Sequence, residues 1–132
     1  MTVKHAAPLA LLCAATLASQ GASATSEASF RFDTTANLYE VCILTKDSPE
    51  FVVANQACRA FIEATVQYHD EISARRKLKR LVCYPKGATI EDGKQAFIEW
   101  ANRKSGDAKL MAEQPVVGLV RALAAKYPCS GQ

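Results

Sequence analysis

Cysteine is the residue in this chain with the most chemistry open to it. Five occur, at positions 13, 42, 58, 83 and 129, alongside two histidines, His5 and His69. A thiolate can attack an electrophile, bind a metal or pair into a disulfide, and spacing separates these uses. None of the cysteines stands in a Cys-x-x-Cys pair, and His69 has no second histidine near it to complete a mixed zinc site. His69 is followed by Asp70 and Glu71 with no nucleophile beside it, so it reads as a partly exposed helix-end residue. The neighbouring acids Glu91 and Asp92 are explained by a helix start. Phosphate loops, Gly-x-Ser-x-Gly elbows and His-Glu-x-x-His helices are missing from the sequence. The expectation is a protein without catalytic, cofactor-binding or metal-binding residues, one that binds rather than catalyses.

Disulfide chemistry fits better, because the chain starts like an exported one. Lys4 and His5 precede an apolar run over residues 6–18, and Ala22-Ser23-Ala24 forms an Ala-x-Ala cleavage pattern. The run is shorter than the ~20 residues that span a bilayer. Residues 1–24 are therefore expected to be a signal peptide, leaving no stable membrane anchor after cleavage and placing the protein in the periplasm. Of 132 residues, 108 remain once these 24 are removed, and loss of Lys4 leaves 15 cations against 13 acids, a net charge of +2. That charge is too small to suggest a nucleic-acid partner. Four cysteines stay in the exported part, an even number in an oxidising compartment, and two disulfides follow.

The elements that must position these cysteines read as helices. Residues 25–33 form a polar leader with two phenylalanines, expected to be flexible, and residues 34–132 form one helical domain. A first helix is expected from a Thr34 or Thr35 cap to about Thr45. A second is expected to be capped by Ser48, with Pro49 at its first position, and to end near Asp70 or Ile72. Its apolar positions include Phe51, Ala54, Cys58, Phe61, Ile62 and Tyr68. The segment over residues 75–80, Arg-Arg-Lys-Leu-Lys-Arg, then reads as a solvated linker or as an electrostatic handle for an acidic partner. Thr89 and Asp92 suit a capping box that opens a third helix, which buries Ala96, Phe97, Trp100 and Ala101 and runs to about Asn102. A short helical turn follows over residues 108–112. A last helix begins near Glu113 or Gln114 and carries Val116, Val117, Val120, Leu123 and Ala124. Only residues 79–84 offer a weak strand pattern. The fold class is all-α, a small four- to five-helix bundle, HdeA-like in general architecture and stapled by two disulfides.

Short connections make successive helices antiparallel. The first two helices then form one hairpin, with Cys42 on one arm and Cys58 on the other. In the second hairpin, Cys83 precedes the third helix and Cys129 follows the last. The expected pairs are Cys42–Cys58 and Cys83–Cys129. The first demands a crossing angle, since Cys58 lies farther from the turn than Cys42.

Four features stand in order: Cys42 in the first helix, Ala-Cys-Arg-Ala-Phe-Ile-Glu-Ala over residues 57–64, Cys-Tyr-Pro and the capped helix over residues 83–101, and the segment from Pro115 to Tyr127-Pro128-Cys129. Their order and spacing resemble the Rap/Tai immunity proteins of type VI secretion systems. The chain departs from that pattern at Arg59 and Ala60, where a small residue, often glycine, is usual. The resemblance implies a periplasmic homodimer that binds a cognate toxic effector, for the best-known members a peptidoglycan amidase, and plugs its cleft. By that resemblance the contact candidates are Arg103, Lys104, Ser105, Gly106 and Asp107 in the turn after the third helix. Lys94, Glu99 and Asn102, taken as that helix's outward face, come second. The competing reading is an acid-stress chaperone resembling HdeA.

Overall fold

The computed structural model describes residues 30–129. The signal-peptide expectation, Cys13 and residues 25–29 of the leader lie outside them. Five helices follow one another: α1 (Thr35–Cys42), α2 (Phe51–Arg76), α3 (Ile90–Lys104), α4 (Ala108–Met111) and α5 (Pro115–Lys126). No strand occurs among the described residues, and residues 79–84 are irregular. The fold is all-α, held by disulfides between Cys42 and Cys58 and between Cys83 and Cys129. Their Cα atoms are 5.2 and 5.0 Å apart.

The starts of α1 and α3 carry the caps that their sequences call for. Thr34 accepts from the Asn37 amide, and the Asn37 side chain accepts from Thr34 in return. At α3 the Thr89 amide and hydroxyl donate to Asp92 Oδ2 at 2.8 and 2.7 Å, and the Asp92 amide donates to Thr89 Oγ1 at 3.2 Å. These bonds hold the Asp92 carboxyl below its ordinary value of 3.8. The folded value is the lower one, so ionised Asp92 contributes stability above about pH 4 and loses it as the pH falls through the folded value. Between pH 6 and a pH below that range, the urea midpoint is expected to drop more for the wild type than for Asp92→Asn. Equal drops would show that this cap carries no proton linkage.

Three boundaries differ from expectation. α1 stops at Cys42 rather than Thr45. A turn closed by the Ser48 amide on Thr45 O (2.9 Å) follows it. Residues 43–50 thus supply the slack that brings Cys58, two turns inside α2, against the last residue of α1. Ser48 does not cap α2. Its hydroxyl donates to Glu50 Oε2 at 2.7 Å, the Phe51 amide turns back to Ser48 O, and Glu50 precedes the first helical residue. α2 also continues past Ile72 through Ser73, Ala74, Arg75 and Arg76. An Arg75–Glu71 ion pair four residues apart supports that last turn, where cations also suit the helix dipole. Lys77, in the left-handed region at φ 52°, ends the helix, with the Leu78 amide donating to Ser73 O at 2.9 Å.

The core is one cluster. Leu38 and Val41 of α1, Ala54 and Ile62 of α2, Phe97, Trp100 and Ala101 of α3, and Leu119, Ala122 and Leu123 of α5 meet there with Val82. Trp100 is therefore a packing residue. Phe32, from the expected flexible leader, meets Phe61 edge to face at 5.3 Å. α5 buries Pro115, Gly118, Leu119, Ala122 and Leu123. That stripe is rotated from the expected one, and Val116 and Val117 face outward. The starts of α1 and α5 touch. The Thr35 amide and hydroxyl both donate to Glu113 O, at 2.8 and 3.1 Å, and Gly118 packs directly on the Thr35 side chain.

Candidate partner-binding surface

The Cys83–Cys129 disulfide clamps one end of the bundle and leaves the other open. At the clamped end, Cys83 and Cys129 join the approach to α3 to the exit of α5. The Cys83 amide donates to Tyr127 O at 2.9 Å, and the Tyr84 and Tyr127 rings lie 5.6 Å apart. Burial, with the Asp70 carboxylate adding to it, pushes the Tyr84 hydroxyl up to about 12. Arg59 stands where the family pattern prefers a small residue, and here it ties α2 to the first turn of α3 by a 2.9 Å ion pair with Glu91. A hydrogen bond from Gln95, ahead of the contributions of Lys94 and Arg59, holds the Glu91 carboxyl below its ordinary value.

At the opposite end of α3, every residue from Asn102 to Lys109 is exposed. This turn is built by its own hydrogen bonds. Ser105 Oγ donates to Asn102 O at 2.9 Å, and the Asp107 amide donates to Lys104 O at 2.9 Å. The Asp107 carboxylate accepts from the Leu110 amide at 3.1 Å and so starts α4. Tyr39 of α1 donates to Asn102 Oδ1 at 3.2 Å, a brace not visible from spacing. Arg103 and Lys104 make no ion pair among the described residues. A Cβ on Gly106 would meet nothing within 4 Å. The turn is an ordered, open protrusion with two free cations.

The outward face assigned to α3 needs one correction. Glu99 and Asn102 are exposed, but Lys94 is 6% exposed and turned inward. Its ammonium donates to Asn55 Oδ1 on α2 at 2.7 Å. Burial of the long aliphatic stem and this partner hold it between helices, so it offers no contact to a second molecule.

His69 is not at a helix end. It lies well inside α2, with its side chain 10% exposed. The Leu81 amide donates to Nε2 at 3.2 Å, which leaves the proton on Nδ1, 2.9 Å from Asp70 Oδ1. Arg80 also reaches Asp70, at 2.6 Å. Together these fasten the end of the basic segment to α2, a structural task. A cleft of about 230 Å³ lies beside this cluster, lined by Ile62, Val66, Asp70, Tyr84 and Thr89 among others. Asp70 and Tyr84 gather there without a nucleophile or a free base between them. No group of three or more metal-ligating side chains occurs among the described residues.

Sequence reasoning missed a second surface. Leu81, Val116, Val117, Val120 and Arg121 line an apolar groove of about 360 Å³. The available signal was the surplus of apolar residues in α5, more than one buried stripe can take.

No match is found among curated proteins or among solved structures. The family model described as Rap1a immunity proteins matches residues 34–129, from the cap of α1 to the final disulfide cysteine. The matched span coincides with the helical domain and contains both disulfides, so the chain belongs to the Rap1a immunity protein family and is on that ground an immunity protein.

Proposed function

We propose that this protein works in the periplasm, where it binds a cognate type VI secretion effector, a peptidoglycan-degrading amidase, and blocks its cleft sterically without catalysis. The carrying observation is the ordered protrusion over residues 102–109 on a domain matched from end to end by an immunity family. A preformed turn loses little conformational entropy on insertion into a cleft. Arg103 and Lys104 suit an acidic cleft rim and speed association. The same reading includes a homodimer. Both hairpins are cross-linked, which favours this rigid inhibitor over a chaperone that must unfold in acid.

Co-expression tests the function. Cells made to export a candidate amidase effector to the periplasm should survive only with this protein present. Survival unchanged by its presence would sink the proposal. Gly106→Trp tests the surface. It adds bulk where a side chain meets nothing, so unfolding should shift by no more than about 0.5 kcal/mol. Protection should nevertheless be lost. Full protection by this variant would move the contact elsewhere.

A further inference from the structure

Arg76, Lys77 and Lys79 have no task in the proposed inhibition, yet they are displayed rather than tucked away. Arg75 is paired with Glu71, Arg80 with Asp70 and Arg121 with Glu113. Arg76, Lys77 and Lys79 are exposed and make no ion pair among the described residues. Interleaved with these cations are Leu78 and Leu81, 56% and 59% exposed. The segment is held rigidly at both ends. Lys77 closes α2, and Arg80 and Leu81 are fastened to Asp70 and His69. Leu81 also forms one wall of the apolar groove whose other walls are Val116, Val117 and Val120. Leu81 thus sets the exposed leucine and unpaired cations of the basic segment beside the face that carries the groove.

We propose that this face rests reversibly on an anionic phospholipid surface, with Leu78, Leu81, Val116 and Val117 at the acyl boundary and Arg76, Lys77 and Lys79 among the headgroups. Mixed cations and exposed leucines are the composition of an interfacial contact. Diffuse anionic charge neutralises cations whatever their spacing. A second copy fits less well, because a twofold contact lays the same patch against itself and brings the two sets of free cations together. The contact is peripheral. No helix among the described residues is long and apolar enough to cross a membrane. The residues of this face differ from those of the turn after α3, so variants of one leave the other unchanged in sequence.

The test is sedimentation of the exported, processed protein with vesicles. It should pellet with phosphatidylcholine vesicles containing phosphatidylglycerol, stay in solution with phosphatidylcholine alone, and be released by high salt. The combined variant Arg76→Gln, Lys77→Asn, Lys79→Gln should partition about 100-fold more weakly, at about fivefold per cation. Leu78→Ser with Leu81→Ser should also weaken binding while leaving the circular-dichroism spectrum unchanged. Three results overturn the proposal. One is wild-type protein left in the supernatant with the anionic vesicles, as expected if the face takes an acidic protein segment. Another is equal pelleting of the charge variant. The third is a change of oligomeric state in the leucine variant, which would make the groove an interface between copies.

Discussion

Replacing Cys83 and Cys129 together by alanine is expected to lower the unfolding free energy by about 4 kcal/mol. The bond closes a loop with a sequence separation of 46, against 16 for Cys42–Cys58. Chain entropy alone puts the shorter loop at about 3 kcal/mol. Burial narrows that difference. Cys42 and Cys58 lie in the core, whereas Cys83 and Cys129 are partly exposed. Alanine at the first pair therefore adds a cavity cost, and the two double variants should come out close together. A domain of this size typically holds about 5–15 kcal/mol in all, so full reduction should leave it unfolded or nearly so. The structure explains why the longer loop depends on its bond. The stretch between α2 and α3 contributes only Val82 to the buried core, and its backbone tie to α5 is the single Cys83–Tyr127 bond. Urea titrations of both double variants, with m fitted for each because the uncrosslinked unfolded chain exposes more surface, measure the effect, and unfolding free energies equal to wild type would contradict it.

Gly118→Ala should cost about 3 kcal/mol, a large figure for one methyl group. A Cβ at this position would stand 2.4 Å from both Thr35 Oγ1 and Cγ2, and 2.9 Å from Thr35 Cβ. Because Thr35 Cβ itself is too close, turning the Thr35 side chain cannot clear the overlap. Thr35 cannot retreat either, since its amide and hydroxyl are bonded to the start of α5. The helices must separate, which opens the α1–α5 contact and strains those bonds. Gly93→Ala is the control. Its Cβ would meet Ile62 and Leu123 at 3.5 and 3.6 Å, ordinary packing distances. There the gain in helix propensity should raise stability by up to ~1 kcal/mol. Thermal and urea unfolding of the two variants should therefore move in opposite directions. A stabilised Gly118→Ala protein would mean that α1 and α5 do not approach as closely as they do here.

Helix number, helix order and cysteine pairing were legible because they rest on local signals and short loops. Thr34 and Thr89 cap where a short hydroxyl precedes a helical pattern, and Pro115 opens α5. In α3, Ala96, Phe97, Trp100 and Ala101 mark the buried face, and Ile98, the one apolar residue among them that is off that face, is partly buried beside it. α5 was less legible. Eight of its residues are Val, Leu or Ala, so several stripes are possible. Gly118 picks one, because it alone allows the approach to Thr35. Lys94 misled for a related reason. Sequence position marks a lysine as exposed, and only the neighbouring helix supplies Asn55 to receive its ammonium.

The candidate surfaces divide in the same way. Polar, glycine-containing residues 103–107 announce a turn, but its hydrogen bonds and the Tyr39 brace depend on where α1 lies. The basic segment is plain in the sequence as charge. Which of its cations stay free was decided by Glu71 and Asp70 on the preceding turns of α2, and its apolar neighbours by a helix that follows much later in the chain. By itself, then, the amino-acid sequence determined the helical class, the two hairpins and the bonds that staple them. These follow from periodicity, caps and short connections, all effects within a few residues. Only the tertiary structure decided which face of α5 is buried, that Lys94 turns inward, and that two free-standing surfaces remain. Those outcomes depend on close contacts between helices distant in sequence, where a single missing Cβ or one amide acceptor sets the register.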